Sequence, residues 1–351
     1  MNPIILTLGA ITSLAVSTTA WAQGEYERLE LTDRIQDFSE VSARAKPSFA
    51  LDPNRELVVD GRFDATTWLL AYKTITFKPG ATLVFSEQAV NDSREIFIVA
   101  DRIVVTDPMR PPTITWEKPI PVTQPDRGQA GAGPRGRGHG GEGGQGSPGA
   151  PGASGALGVD APALTLMIKT ASQGAIRVDL RGGDGGKGGS GQRGGDGGSG
   201  EIGSPARQAR TNGPFGSTIW HPWCDRGPGH GGRGGNGGLG GNGGVGGSGG
   251  RGGSFTIISM PDKLPVLTQV IKFDLAGGRG GEGGEAGAGG NPGPGGPEGQ
   301  LASFCNSAGR VGAPGSPGAA GGRGDRGETG PTGRAYVGSL TTAQFSTLFG
   351  L

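Results

Sequence analysis

The stretch "STIWHPWCDRG", residues 217–227, concentrates side chains that could do chemistry. Trp220, His221, Trp223 and Arg226 fall within seven positions of a chain that has 5 tryptophans and 3 histidines in all. Large amphipathic aromatics beside an arginine are the residue types that dominate recognition surfaces, so these four are the candidate binding residues. The alternative is a small apolar cap in which the same side chains pack on one another. Cys224 lies in the same stretch, and the only other cysteine is Cys305. A disulfide between them is the simplest arrangement for an exported chain, with two free thiols as the alternative.

Other motifs carry less. Matches to Gly-x-Gly-x-x-Gly abound, but any period-three glycine tract generates them without the strand-to-helix context of a nucleotide site. In "GGDGGKGGS" the position where a calcium nonapeptide requires Asp is Lys187, so a metal reading fails there. "RGD" at Arg323 to Asp325 is what charged residues at the outward positions of a threefold helix produce by chance. His139, His221 and His230 lack ligand spacing, so zinc has no case. Asp184, Asp196, Glu282 and Glu285 fit solvated outward positions better than an acid/base pair. No catalytic residue, metal or cofactor is expected, and the chain reads as non-enzymatic.

Composition narrows the partners. Lys and Arg total 32 against 31 Asp and Glu, a net charge of +1, which leaves no field to recruit nucleic acid. Apolar residues make up 33% and glycine numbers 77, so no conventional core can extend through the whole chain. Residues 1–22 read as a secretory signal, with an apolar run and Ala20-Trp21-Ala22 before cleavage at Gln23. A retained anchor is the competing reading. The mature chain is expected in the periplasm, on the cell surface or outside the cell, without membrane insertion.

The elements that must position these residues follow. Residues 23–50 form a polar lead-in, either a short helix or an extended segment. Residues 51–125 hold the strand signals "ELVVDG", "KTITFKPGATLVF", "REIFIVADRIVV" and "TITWEK", fitting a small sandwich or solenoid rungs. Residues 126–333 are glycine-rich, with apolar strands at 164–180 and 254–276. Residues 334–351 form a β-type closing segment. The islands repeat: "IRVDLRGGDGGKGG" from Ile176 and "IKFDLAGGRGGEGG" from Ile271 share one pattern, which implies stacked supersecondary units.

Glycine at every third position lines one edge of a three-residue-per-turn helix, and Gly-Gly-x leaves two edges bare. Bare edges suit lateral backbone hydrogen bonding between neighbours within one chain. "GGNGGLGGNGGVGGSGG" reads as an interior segment, and "GAPGSPGAAGGRGDRGETGPTG", with one glycine per triplet, as a rim. These tracts, roughly residues 126–333, are similar to the glycine-rich antifreeze proteins of springtails and the tip adhesins of phage long tail fibres. They resemble bacterial collagen-like proteins less closely, and "KPGATLVF" resembles coils of secreted β-helix proteins. The resemblance implies layered polyglycine II helices.

The expected class is therefore mostly β plus polyglycine or polyproline II: a short β-solenoid or sandwich base with an intramolecular antiparallel bundle of glycine-rich helices. Tracts of about 22 to 25 residues would each span about 70 Å at about 3.1 Å per residue. If they run out and back, the segments from Ser204 and from Gln300 share the far end, and Cys224 meets Cys305. The expected function is an exported scaffold presenting those loops to an unknown surface, glycan or protein, as a monomer. A collagen-like homotrimer is the alternative. Ice binding is third, since it needs a flat, regularly spaced face and many outward residues here are charged.

Overall fold

The computed structural model describes residues 25–29, 35–52, 54–171 and 174–349. The secretory signal lies outside the described residues. A short strand β1 (Tyr26–Arg28) is followed by helix α1 (Ile35–Leu51). Five strand pairs and single strands then build two parallel sheets. The first pairs are β2 (Glu56–Val59) with β3 (Arg62–Ala65), β4 (Leu69–Phe77) with β5 (Thr82–Phe85), and, after helix α2 (Glu87–Asp92), β6 (Glu95–Val105) with β7 (Thr113–Trp116). Next come β8 (Ala163–Ala171) and β9 (Ile176–Asp179), then a separate hairpin of β10 (Arg207–Asn212) and β11 (Thr218–Arg226). The last pair is β12 (Phe255–Ser259) and, beyond α3 (Leu264–Val270), β13 (Ile271–Asp274). β14 (Ala335–Ser339) and α4 (Thr342–Phe349) close the chain.

The seven-stranded sheet runs β1-β14-β12-β8-β6-β4-β2, and the five-stranded sheet runs β13-β9-β7-β5-β3. Within each pair the chain places one strand in each sheet, and every ladder of both sheets is parallel. Their inner faces meet in one core that includes Ile75, Leu83, Phe85, Ile98, Ile114, Val178 and Phe255. Alternation of inward apolar and outward residues along the strands fixes which side faces that core. The outer face of the larger sheet is covered by α1 and α4, through Phe38, Val41, Ala71, Phe97, Met167 and Phe345. The hydroxyl of Ser42 on α1 also donates to the carbonyl of Leu348 on α4.

This corrects the expected fold class. The β-part is not a short base confined to residues 51–125 with a glycine-rich bundle attached. It is a mixed fold with few helices, built on a large parallel sheet and a second parallel sheet that draw strands from Tyr26 to Ser339. A sandwich of antiparallel sheets is ruled out by the parallel ladders. The physical reason is that neighbours in a parallel sheet need not be neighbours in sequence, since the connection between them can be long. Strand density marked out 51–125, whereas sparse strands between glycine tracts continue the same sheets. The repeat pairs in register: Ile176, Arg177, Val178 and Asp179 lie beside Ile271, Lys272, Phe273 and Asp274.

The glycine tracts are the long connections. Six extended segments, near 128–138, 140–159, 182–203, 229–253, 277–299 and 309–333, bond laterally through their backbones. Partner numbers rise together between 143–158 and 233–248, giving a parallel pair, and run opposite between 183–201 and 159–141, giving an antiparallel one. The segments form two layers of three. One layer holds 128–138, 182–203 and 277–299; the other holds 140–159, 229–253 and 309–333. Segments 182–203 and 229–253 each bond to four others, whereas 309–333 bonds to two.

Candidate functional site

Segments 182–203 and 229–253 are joined at the end away from the sheets by residues 204–228, and 277–299 and 309–333 by residues 300–308. The first connection folds into the β10–β11 hairpin, whose turn uses Gly213, Pro214, Phe215 and Gly216. Gly216 adopts φ 76°, a backbone that glycine tolerates without a Cβ clash. Opposite Ala209, β11 carries extra residues: Gln208 pairs with Cys224 but Arg210 pairs with Trp220. Pro222, with no N–H to give a ladder, lies in that bulge.

A disulfide joins Cys224 to Cys305, with Cα atoms 4.9 Å apart and a sequence separation of 81. Cys305 is buried, and its Sγ lies 3.6 Å from the carbonyls of Arg207 and Arg226. The Ala206 N–H also donates to the Gln300 carbonyl, so the two connections are tied by covalent and backbone bonds.

The four candidate binding residues all lie on β11. Trp220 and Trp223 are 56% and 55% exposed, each with about half of its surface open. His221 stacks on Trp223 with ring centroids 4.3 Å apart and planes 20° from parallel. Its Nε2 is 2.9 Å from the Thr211 hydroxyl, and Gln208 Nε2 donates to its carbonyl. Arg226 is exposed beside Asp225, which pairs with Arg207. Two aromatics were missed by sequence reasoning. Phe215 is fully exposed at φ 60°, and Phe304, next to Cys305, is 54% exposed at φ 64°. Left-handed backbone is costly for a bulky non-glycine residue, of the order of 1 kcal/mol or more each. The available signal was a phenylalanine inside a Gly/Pro/Ser turn, as in "GPFGS".

The other polar candidates serve the glycine layers. Asp184 and Asp196 accept from the backbone N–H of Arg279 and Asn291 on the parallel neighbour. Asp160, His230, Asn236 and Asn242 do the same for Arg251, Arg310, Ser316 and Gly322. Outward Asp and Asn thus bridge segments where the next outward N–H lacks a glycine partner. Lys187 pairs with Glu285.

Where the glycine layers meet the sheets, a cavity of about 650 Å³ is lined by Lys118, Ile120, Arg181, Asp184, Asp274 and Arg279. Lys118, Arg181 and Asp274 belong to one ion-pair network with Asp179. Asp179 accepts from Lys118 Nζ at 3.1 Å and from Arg181 NH2 at 2.8 Å, and Arg181 reaches Asp274 at 3.5 Å. Burial alone would raise the Asp179 carboxyl; the Arg181 hydrogen bonds and the Lys118 charge outweigh it and hold it below the ordinary carboxylate value. The repeated Asp-Leu pattern thus supplies a latch between strands and glycine segments.

No family model matches the chain, and no curated protein matches it. Among solved structures, the chain is similar to the springtail antifreeze protein from Granisotoma rainieri, a bundle of nine polyproline type II helices. The two are 20% identical over 56% of this chain and 97% of that one, with a TM-score of 0.09. A superposition that poor carries no argument about fold or function.

Proposed function

We propose that this chain is an exported scaffold that presents its far-end loops for recognition of a surface-borne ligand, a glycan or a protein. The observation that carries the reading is the exposed aromatic set Phe215, Trp220, Trp223 and Phe304 at one end of the molecule, two of them on strained backbone. Strain at an exposed aromatic is not offset by packing, and such outliers concentrate at ligand contacts. Exposed tryptophans and an arginine are the usual anchors of binding energy. The disulfide holds the two loops in one arrangement, which lowers the entropy lost on binding. It also suits the oxidising compartment that export would reach. The lateral bonds of the glycine segments are made within one chain, which weighs against the collagen-like trimer.

The test is retention of the full oxidised chain on immobilised polysaccharides and on immobilised cell-surface protein. Trp220→Ala and Trp223→Ala are each expected to weaken retention about tenfold, a loss of about 1.4 kcal/mol, with an unchanged melting temperature. Equal retention of wild type and both variants on every surface that binds would overturn the proposal.

A further inference from the structure

The two faces of the β10–β11 hairpin differ in what they leave open. Residues directly opposite in an antiparallel pair share a face, so Thr211 and Ile219 lie on one, and Arg210 with Trp220 and Asn212 with Thr218 lie on the other. On the first face the polar groups are used within the hairpin. Thr211 bonds His221 Nε2, and the His221 ring stacks on Trp223. On the second face Arg210, Asn212, Thr218 and Trp220 are all exposed. Among the described residues, none of these four side chains has a hydrogen-bond or ion-pair partner.

Charge around them is one-sided. The two far-end connections carry Arg207, Arg210 and Arg226 against Asp225 alone, and Asp225 is taken by Arg207 at 2.6 Å. On the glycine segments just below, Arg135 pairs with Glu201, which leaves Arg137, Arg233 and Arg310 against Glu142 and Glu298. His139 and His230, also there, add no negative charge.

We infer, resting on the recognition reading above, that the Arg210–Trp220 face binds an acidic glycan through a uronic acid residue. The two cross-strand pairs cover about 7 Å along the strands and about 5 Å across, the footprint of one sugar ring. A pyranose has an apolar C–H face and a rim of hydroxyls. The first suits the open ring of Trp220, and the second suits the Asn212 amide and the Thr218 hydroxyl, which can each donate and accept. A uronic acid adds a carboxylate at the rim of the same ring. A free guanidinium takes a carboxylate through two parallel N–H bonds, so Arg210 supplies the group that a neutral sugar would leave unused.

An acidic protein fits this face less well. The six residues of β10 make a two-stranded ribbon about 20 Å long and about 10 Å wide, or about 200 Å² per face. Each partner in a stable protein complex gives about 800 Å². A sugar ring needs no more than the ribbon offers, and the disulfide at Cys224, in the same strand, already anchors the ribbon.

Affinity electrophoresis of the full oxidised chain through gels holding polygalacturonate, alginate or hyaluronate, each beside its carboxyl-reduced form, tests the inference. The wild type is expected to be retarded by at least one of the three acids and far less by its reduced form. Arg210→Gln and Trp220→Ala, both at exposed sites, are each expected to raise the dissociation constant for that acid at least tenfold with an unchanged melting temperature. Arg210→Lys, which keeps the charge and loses the planar fork, is expected to fall between wild type and Arg210→Gln. Retardation by none of the acids overturns the inference, as does equal retardation of wild type and Arg210→Gln. Binding to the acids that Trp220→Ala leaves intact also overturns it, since charge alone would then account for the effect. Retention only on a neutral glycan or on cell-surface protein, weakened in Trp220→Ala, would overturn the uronic acid and leave the scaffold reading standing. Retention on no surface at all overturns both.

Discussion

Ile98 in the sheets and Gly241 in the glycine layers are both buried, but the first is buried by what it adds and the second by what it lacks. Ile98 fills space between two parallel sheets, where apolar area removed from water is the stabilising term. Around Gly241 no side chains meet. Its N–H donates to the Gln192 carbonyl at 2.8 Å, and a Cβ built there would sit 2.0 Å from the Ala150 carbonyl oxygen. In one region side-chain volume holds the fold, and in the other backbone hydrogen bonds do. Each of those bonds contributes modestly, about 1 kcal/mol, so the layers rely on many of them being made together. The sheets tolerate small losses of volume better than the buried positions of the layers tolerate a gain.

The largest test of this contrast is Gly241→Val. The neighbouring carbonyl belongs to backbone and cannot swing aside, so Ala150 or the whole segment 140–159 must move. The expected loss is about 4 to 5 kcal/mol or more. It should appear as loss of amide protection across both 140–159 and 229–253. Ile98→Ala, which removes atoms from the sheet core, is expected to cost about 2 to 5 kcal/mol and to leave those segments protected. Equal protection in wild type and Gly241→Val would end the claim that backbone contact is what fills this layer.

An intermediate effect is expected where the two regions join. Asp179→Asn leaves Lys118 and Arg181 without their shared carboxylate, and the expected cost at neutral pH is about 1 to 3 kcal/mol. The sign of its pH dependence follows from the depressed carboxyl. A group whose pKa is lower folded than unfolded contributes its full stability above the unfolded value, about 3.9 for Asp, and loses it as pH falls through the folded value. The difference between wild type and Asp179→Asn should therefore be constant near neutrality and shrink only below about pH 3.9. Urea titrations at several pH values measure it. A difference that stays constant down to pH 2 would mean that the charge of Asp179 contributes nothing to the latch.

How much of this was legible in the sequence depends on which forces carry a local signature. Strong apolar alternation announced β2, β4, β5, β6 and β7, and the two "Ile-x-apolar-Asp-Leu" islands announced themselves as a repeat, because core packing imposes period two on residues that must face inward. β3 (Arg62–Ala65) carries charge on half of its positions and gave no such pattern. That all these strands form two long parallel sheets was not legible, since parallel pairing joins residues at no fixed distance in sequence, from Glu56 with Thr74 to Tyr26 with Ala335. α1 was foreseen only as a short helix or an extended lead-in. It is built on the outer face of the larger sheet, and its sequence contains Pro47, a poor advertisement for a helix. The tip was half legible. Cys224 with Cys305 followed from tract lengths, whereas the left-handed backbone of Phe215 and Phe304 is something residue type does not reveal.

The smallest expected effect distinguishes two adjacent glycines. A Cβ on Gly321 would meet the Gly241 carbonyl oxygen at 2.1 Å, whereas one on Gly322 would meet only the Asn242 side-chain oxygen, at 3.6 Å. Gly322 occupies an outward position, and its N–H still donates to Asn242 Oδ1 in the alanine variant, since the bond uses backbone. Replacing glycine with alanine at a site the new residue can occupy without strain narrows the unfolded ensemble and stabilises by about 0.4 to 1 kcal/mol. Gly322→Ala is therefore expected to raise the melting temperature slightly, while Gly321→Ala lowers it, as read by differential scanning calorimetry of the two single variants. If both substitutions destabilise alike, the outward positions are not open. If neither does, the layers are looser than their hydrogen bonds require, and glycine at this rim serves the unfolded chain more than the folded one.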